Sequence, residues 1–273
     1  MQIQCRFMWT TIPSLVWGFT QSDFPTFVLP NASFGIFAAL VAPAFTSCTE
    51  IPNPWALLVR AAPAAIIFNW ANLLVFDIAN QRLLESIRED SLNKPWRPLP
   101  RGLIDPNETR RLLLGAVPIV LALSAALGVW EESALILILT WMYNDLGGGD
   151  ELTRDIMIAI AYDVFLFGSL RIALATTTSC ANISLSATGF RWLGIIAGVI
   201  MSTMQIQDLR DQAGDRTRGR KTWPLVVGDM ASRAWIATCV MFWSFACIEF
   251  WDVPLWCLLG RSCWERGLEL ASC

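Results

Sequence analysis

Apolar stretches recur along the whole chain and are separated by shorter polar segments. Seven of them are candidate membrane spans, at residues 27–47, 55–76, 111–130, 133–146, 156–176, 190–206 and 234–251. A helix needs about 20 mostly apolar residues to cross the hydrocarbon core of a bilayer. The pattern therefore predicts an all-α, polytopic transmembrane helical bundle, in which the short fourth span follows closely behind the third.

The composition indicates a single membrane domain over residues 1–273. Hydrophobic residues make up 55% of the chain and charged residues only 16%, whereas soluble domains carry about a quarter charged residues. Residues 1–20 are apolar with few basic residues and no clear cleavage site, which favours a short interfacial helix over a signal peptide. Nothing in residues 253–273 resembles a further span, which indicates an atypical or truncated C-terminus.

The residue types exclude several kinds of chemistry. The chain has no histidine, which excludes histidine acid–base catalysis and histidine-ligated zinc. Any metal would be bound through oxygen, as hard cations such as Mg²⁺ prefer. The net charge of -3 argues against nucleic-acid binding. The eight cysteines form no CxxC pair and lie mostly in apolar sequence, so we expect small buried hydrophobic side chains.

Basic residues are concentrated in two loops. One group follows the second span and comprises Arg82, Arg88, Lys94, Arg97, Arg101, Arg110 and Arg111; the other follows the sixth and comprises Arg210, Arg216, Arg218, Arg220 and Lys221. Four spans separate the two loops, so both emerge on the same side of the membrane. Because basic loops are retained in the cytosol, we expect both to be cytosolic.

The first of these loops, residues 77–110, carries acidic and polar side chains at four-residue spacing: Asp77, Gln81, Glu85 and Glu89. If the second span continues as a helix, these residues form one stripe along its face. Like charges stacked in this way repel each other unless a cation lies among them. Pro95, Pro98 and Pro100 then end the helix and stiffen the turn.

The second loop, residues 207–233, repeats the arrangement. Asp208, Asp211 and Asp215 are spaced i, i+3, i+7, which places them on one face of a helix that leaves the membrane. Two carboxylate sets, each followed by arginine or lysine, suit a diphosphate, because carboxylates bind Mg²⁺ and cations neutralise the leaving group. The alternative is that both loops are charged only because they face water.

Two motifs in these loops resemble those of the UbiA superfamily of intramembrane prenyltransferases. Residues 90–102 are similar to its D-x-x-N-x-P-x-R-P-[IL]-P-x-G stretch, and residues 208–215 to its second aspartate motif, D-x-x-D-x-x-G-D. Residues 222–225 resemble the T-x-P-L that follows. Residues 76–81 and 143–148 are closer to a fungal branch that includes UbiA-type sesquiterpene cyclases.

The resemblance implies an all-α membrane bundle, usually of nine spans, that binds Mg²⁺ and an isoprenoid diphosphate. In place of the usual N-x-x-x-D-x-x-x-D, the nearest first motif here is Asn80-x4-Glu85-x4-Asp90. The expected metal ligands are Asn80, Glu85, Asp90, Asp208, Asp211 and Asp215, with Asp77 and Glu89 as alternatives in the first motif; the expected catalytic residues are Asp90, Asp208, Asp211 and Asp215. The expected substrate-binding residues are Lys94, Arg97, Arg101, Tyr143, Asn144, Arg218 and Lys221.

Three hypotheses of function follow. The first is Mg²⁺-dependent transfer of a prenyl group to an acceptor such as an aromatic compound, at a site in contact with membrane lipid. The second is a terpene cyclase that acts on farnesyl diphosphate without an acceptor. The third is a catalytically impaired family member, suggested by the short C-terminus. A transporter would show paired inverted repeats and broken helices, and the sequence has neither.

Overall fold

The computed structural model of the chain describes residues 12–253, and this part is all α-helical. Its helices are α1 (Ile12–Thr20), α2 (Leu29–Ala39), α3 (Ala42–Phe45), α4 (Pro54–Ala56), α5 (Ala62–Gln81), α6 (Leu84–Asn93), α7 (Pro106–Ala126), α8 (Trp130–Asn144), α9 (Arg154–Thr177), α10 (Ala187–Thr203), α11 (Asp208–Arg218), α12 (Trp223–Val226) and α13 (Asp229–Phe250). π-helical turns at Phe24–Val28 and Leu57–Ala61 precede α2 and α5, and 3-10 turns lie at Gly148–Asp150 and Met204–Ile206.

All seven predicted spans coincide with helical segments. Five segments of the described chain are long and apolar enough to cross a membrane: Pro54–Gln81, Pro106–Ala126, Arg154–Thr177, Ala187–Ile206 and Asp229–Phe250. The first predicted span, residues 27–47, is divided between the shorter apolar helix Phe24–Ala39 and α3. The fourth is α8, with 15 residues. A helix of that length rises about 22 Å, less than the roughly 30 Å of a hydrocarbon core. Of the segment predicted as an interfacial helix, residues 1–20, the structure describes Ile12–Thr20, which form α1; the other residues of that segment and the predicted C-terminal segment beyond residue 253 lie outside the described residues.

Local sequence explains where α7 begins and why the chain reverses after it. The Asp105 carboxylate accepts hydrogen bonds from the amides of Asn107 and Glu108, both at 2.8 Å. The Glu108 carboxylate accepts one in return from the Asp105 amide at 3.1 Å, so a capping box starts α7. At the other end Gly128 adopts a φ of +76°, which favours glycine and reverses the chain. α8 then begins at Trp130 and runs back beside α7.

The helix α9 lies at the centre of the bundle and packs against α2, α5, α8 and α10. Its approach to α2 is close: a Cβ added to Gly35 would lie 2.5 Å from the carbonyl carbon of Ser169. Asn69 of α5 donates a 2.7 Å hydrogen bond to the Ser169 hydroxyl. Small residues therefore bring three helices into contact, as is common in membrane bundles.

Buried side chains form three clusters along the bundle. One, around Phe45, Ala61 and Leu170, fills the end at which α9 finishes. A second, around Phe68, Ile136 and Phe165, fills the middle. The third joins Phe19 of α1 and Ile78 of α5 to Leu99 and Ile104, which follow α6. This last cluster anchors the segment of the first motif to the end of the bundle at which α9 begins.

The structure corrects two expectations. The first motif does not lie on one continuous helix, because α5 ends at Gln81 and α6 starts after Leu83, whose backbone is extended. The acidic residues on either side of this break therefore follow separate helical registers. The cysteines are not all free: Cys48 and Cys180 form a disulfide. Their 132-residue separation hides this pairing in the sequence.

Candidate active site

A cavity opens where the two predicted motifs meet at one end of the bundle. Its charged and amide side chains are Asp23, Asp77, Asn80, Glu89, Lys94, Arg97, Arg154, Gln207, Asp208, Asp211, Asp215 and Arg220. Its apolar and aromatic lining includes Phe27, Leu73, Phe76, Ile136, Leu139, Tyr143, Ile158, Tyr162 and Phe165. The polar residues come from helix ends and the apolar ones largely from helix interiors, so a charged entrance leads into an apolar chamber within the bundle.

The second motif lies on α11, as its spacing predicts. Asp208, Asp211 and Asp215 all line the cavity, and Asp208 and Asp215 are almost completely buried. The helix ends at Gly219, which has a φ of +79°. Burial raises the pKa of Asp215 to about 7, against an opposing effect of the nearby Arg220. Burial also raises the pKa of Asp208, and the hydrogen bond with Arg154 only partly opposes this rise.

The first motif places different residues at the cavity than predicted. Glu85 is exposed in the first turn of α6 and is not among the lining residues, so the structure does not bring it to the other candidates. Glu89, one turn later, is buried and lines the cavity. Asp90 is buried behind the wall and accepts hydrogen bonds from Arg97 at 2.9 and 3.0 Å. Burial raises the pKa of Asp90, and the Arg97 charge opposes this rise.

Residues of the two motifs join α6 to α11. The Asn93 side chain donates a hydrogen bond to the Asp211 carbonyl at 3.0 Å and accepts one from the Gly214 amide at 3.1 Å. A Cβ added to Gly214 would lie 2.3 Å from the Asn93 amide nitrogen. A side chain at position 214 would displace the Asn93 amide and break both hydrogen bonds, so the asparagine and glycine of the motifs together hold the two acidic helices in contact.

Arginines pair with the buried carboxylates of the site. Arg154, at the start of α9, forms an ion pair with Asp208 and a 3.2 Å contact with Asp155. Arg220 contacts Glu89 at 2.9 Å and Asp215 at 3.6 Å. Within residues 12–253 no three acidic side chains are grouped so that they could hold one ion as they stand. Arginines therefore lie between carboxylates that would otherwise repel each other, and part of the negative charge of the site is neutralised by these ion pairs.

The donor set nevertheless fits a hard divalent cation. One carboxylate oxygen of Asp215, Oδ2, is buried and has no hydrogen-bond partner within the described residues. Asp211 is partly exposed, and its ion-pair contact is at 3.6 Å, to its neighbour Arg210. Carboxylate oxygens and the side-chain amide oxygens of Asn80 and Gln207 are ligands that Mg²⁺ accepts.

The predicted substrate-binding residues divide into two groups. Lys94, Arg97 and Tyr143 line the cavity. Of the four cationic side chains in that lining, Lys94 is the one with no carboxylate partner in the described part of the chain. The remaining residues lie outside the lining: Arg101 is exposed, Asn144 accepts a 3.0 Å hydrogen bond from Asn80, Arg218 contacts Asp150 at 2.7 Å, and Lys221 is exposed and paired with Glu151 at 2.8 Å.

Five charged lining residues lie outside the expected ligand and substrate-binding sets: Asp23, Asp77, Glu89, Arg154 and Arg220, of which the sequence offers Asp77 and Glu89 only as alternatives. Arg154 lies at the start of an apolar stretch, far in sequence from both motifs, and only folding brings it to Asp208. Asp23 lies before the first span and contacts Arg97 at 3.2 Å. Asp77 begins the acidic stripe of the first loop. Arg220 lies between Arg218 and Lys221, the two residues of that basic run that were expected to bind substrate.

The fold and the site together define an intramembrane helical bundle with an acidic and arginine-rich cavity at one end. A sequence model of the UbiA prenyltransferase family matches residues 35–264, and the chain belongs to that family.

Two curated fungal relatives cover most of the chain. Fumagillin beta-trans-bergamotene synthase af520 of Aspergillus fumigatus is 30% identical over 241 residues, which cover 86% of this chain and 74% of that protein. Diterpene cyclase eriG of Hericium erinaceus is 29% identical, over 80% of this chain and 65% of that protein.

A solved structure has the same fold. The UbiA homolog from Archaeoglobus fulgidus, bound to GPP and Mg²⁺, superimposes with a TM-score of 0.65 at 12% sequence identity, over 88% of this chain and 78% of that one. At this identity the likeness establishes the fold.

Proposed function

We propose that this protein is a membrane enzyme that ionises an isoprenoid diphosphate with the help of Mg²⁺. The observation that carries the proposal is the shape of the cavity, in which a charged entrance with Asp208, Asp211 and Asp215 opens into an aromatic chamber. An isoprenoid diphosphate has the same polarity, with an anionic head and an apolar tail. The GPP and Mg²⁺ bound to the archaeal homolog support this proposal.

The chain offers ligands for Mg²⁺ from three helices. Asp208, Asp211 and Asp215 would hold it from α11, Asn80 from α5 and Glu89 from α6. Bound there, Mg²⁺ would neutralise the charge that develops on the departing diphosphate. Glu89 takes the place that the spacing of the sequence gave to Glu85, because it is the glutamate of α6 that lines the cavity.

The protein's own cations complete the head-group site. Lys94, which has no carboxylate partner among residues 12–253, is available to bind the diphosphate directly. Arg154 is held by Asp208 in this structure. With Asp208 bound to Mg²⁺, Nη2 of Arg154 would be available to donate a hydrogen bond to a phosphate oxygen, while its Nε keeps the 3.2 Å contact with Asp155.

The chamber suits a carbocation. Phe27 lies 4.6 Å, centroid to centroid, from both Tyr162 and Phe165, in edge-on geometry, and Phe76 lies 5.3 Å from Tyr143. Aromatic faces attract cations, and the apolar wall excludes the water that would quench the allylic cation.

The fate of the cation distinguishes two functions. In a cyclase, a double bond of the same prenyl chain attacks it and a proton is then lost. In a transferase, an acceptor such as an aromatic compound attacks it. Likeness to a beta-trans-bergamotene synthase and a diterpene cyclase favours cyclisation. Prenyl transfer is the second candidate and is favoured by the chemistry that the family is named for.

Both functions place the entrance at the membrane surface. The basic residues of the two motif loops favour a cytosolic entrance under the positive-inside rule. Soluble isoprenoid diphosphates would then enter from the cytosol, while the apolar tail and the product contact the chamber and membrane lipid.

The test uses the full chain in lipid nanodiscs with Mg²⁺ and geranyl, farnesyl or geranylgeranyl diphosphate. Diphosphate release and hydrocarbon products are measured with and without an aromatic acid or quinone precursor. Cyclic hydrocarbon without an acceptor supports the cyclase, and release only with an acceptor supports the transferase. Asp211→Asn is expected to abolish both. Absence of Mg²⁺-dependent binding and turnover with all three diphosphates would refute the proposed function in favour of a catalytically impaired protein.

A further inference from the structure

The disulfide lies at the end of the bundle remote from the site. Cys48 follows α3 and Cys180 follows α9, and their Cα atoms are 5.7 Å apart. α9 runs from Arg154, which pairs with Asp208 at the cavity, to Thr177, three residues before Cys180. Its 24 residues rise about 36 Å, which exceeds the roughly 30 Å hydrocarbon core of a bilayer. The disulfide and the motif loops therefore lie on opposite faces of the membrane.

A network of hydrogen bonds holds the two cysteine-bearing loops together. The Ser47 amide donates to the Ser184 carbonyl at 2.9 Å. The Ser186 amide donates to the Phe45 carbonyl at 2.8 Å, one residue from the bridge between Thr46 and Leu185. These bonds involve main-chain groups, so they bring the cysteines together without depending on the sulfur atoms. The backbone contacts of the two loops therefore suffice to place Cys48 beside Cys180.

A second contact joins the same loops. Glu50 accepts hydrogen bonds from both the amide and the hydroxyl of Ser179, and the hydrogen bond from the amide is 3.0 Å long. Cys48 is buried against the cluster around Phe45 and Leu170, and Cys180 packs on its edge. The disulfide thus closes the end of the bundle by tying the chain after α3 to the chain between α9 and α10.

We propose that the Cys48–Cys180 disulfide is a permanent crosslink, formed on the face opposite the motif loops in an oxidising compartment such as the lumen of the endoplasmic reticulum. The two thiols lose two protons and two electrons, and the disulfide of an oxidoreductase in that compartment accepts them and becomes a dithiol. Disulfides of this kind do not persist in the reducing cytosol. The motif loops then face the cytosol, and this conclusion agrees with their basic residues but does not rest on them or on the proposed catalytic function.

The first experiment determines the state and sidedness of the pair in sealed vesicles with the cytosolic face outward. The other six cysteines are replaced by alanine, at Cys5, Cys239, Cys247, Cys257, Cys263 and Cys273. Free thiols are blocked with N-ethylmaleimide, and newly released thiols are labelled with a polyethylene glycol maleimide. We expect two additions after reduction and none before. A membrane-impermeant phosphine should reduce the pair only after the vesicles are opened with detergent.

A reporter on the other face is the matched control. Arg110→Cys, in the exposed start of α7, should react with an impermeant maleimide in sealed vesicles. Labelling of Cys48 and Cys180 without reduction, or their reduction in sealed vesicles, would overturn the proposal. Non-reducing peptide mapping of the unsubstituted chain should find the Cys48 and Cys180 peptides joined, which covers the case in which the cysteine-depleted chain does not fold.

The second experiment tests the structural role. Cys48→Ser, Cys180→Ser and the double variant are expected to lower Tm by the same several degrees, because each removes the same crosslink. Cys247→Ser, at a free and partly buried cysteine, should change Tm little. Additive losses at the two positions would show that the cysteines contribute only as buried side chains and would contradict the crosslink.

Discussion

Glu89 and Glu85 provide a matched pair of variants. Glu89 contacts Arg218 at 3.2 Å and Arg220 at 2.9 Å, and it is buried at the cavity wall, whereas Glu85 is exposed. Removing one partner of a buried ion pair costs about 3–5 kcal/mol. Asp150 still pairs with both arginines, at 2.7 and 3.2 Å. The stability cost of Glu89→Gln should therefore lie at the lower end of this range, at about 3 kcal/mol. Glu85→Gln should change stability by less than about 0.5 kcal/mol.

The assay combines thermal unfolding in detergent with Mg²⁺-dependent release of diphosphate, measured well below the lower Tm. A loss of about 3 kcal/mol corresponds to a fall in Tm of roughly 6–12 °C for a chain of this size. If Glu89 is also a metal ligand, Glu89→Gln should raise the Mg²⁺ concentration needed for half-maximal rate and lower kcat by at least about 100-fold, the loss of roughly 2.7 kcal/mol of transition-state stabilisation. The reasoning is refuted if Glu85→Gln abolishes turnover while Glu89→Gln leaves Tm and Mg²⁺ dependence unchanged.

Three further predictions follow from the same structure. Lys94→Gln should raise KM for the diphosphate by about 10- to 150-fold, since one charge-assisted contact is worth roughly 1.5–3 kcal/mol. Lys221→Gln, outside the cavity, should leave KM unchanged, and equal effects of the two variants in steady-state kinetics would contradict this. Burial raises the pKa of Asp215 to about 7, above its ordinary value of 3.8. The folded, metal-free protein holds a proton that the unfolded chain loses, so its stability should fall as pH rises from about 4 to about 7, while Mg²⁺ affinity increases. Calorimetric Tm and titrations should show both trends, and Asp215→Asn should make the stability trend shallower without removing it, because burial also raises the pKa of Asp90 and Asp208. Gly35→Ala should destabilise by about 1–3 kcal/mol through overpacking, because its Cβ would lie 2.5 Å from Ser169; Gly115→Ala, with open space around it, should be neutral or stabilising in unfolding assays.

The sequence alone predicted the helices and one half of the site. Apolar runs of sufficient length become helices because a bilayer leaves the backbone no other partner for its hydrogen bonds. The i, i+3, i+7 spacing of Asp208, Asp211 and Asp215 places them together because a single helix, α11, carries all three. Such local geometry depends only on helical periodicity, which can be read from the chain.

The tertiary structure decided the rest. The break after Gln81 resets the helical register, so Glu89 and not Glu85 reaches the cavity. Arg154 meets Asp208 across 54 residues, and Cys48 meets Cys180 across 132. These contacts are set by the packing of whole helices, α9 above all, and no spacing along the chain encodes them. Periodicity determines which side chains share a face, but only packing determines which faces meet.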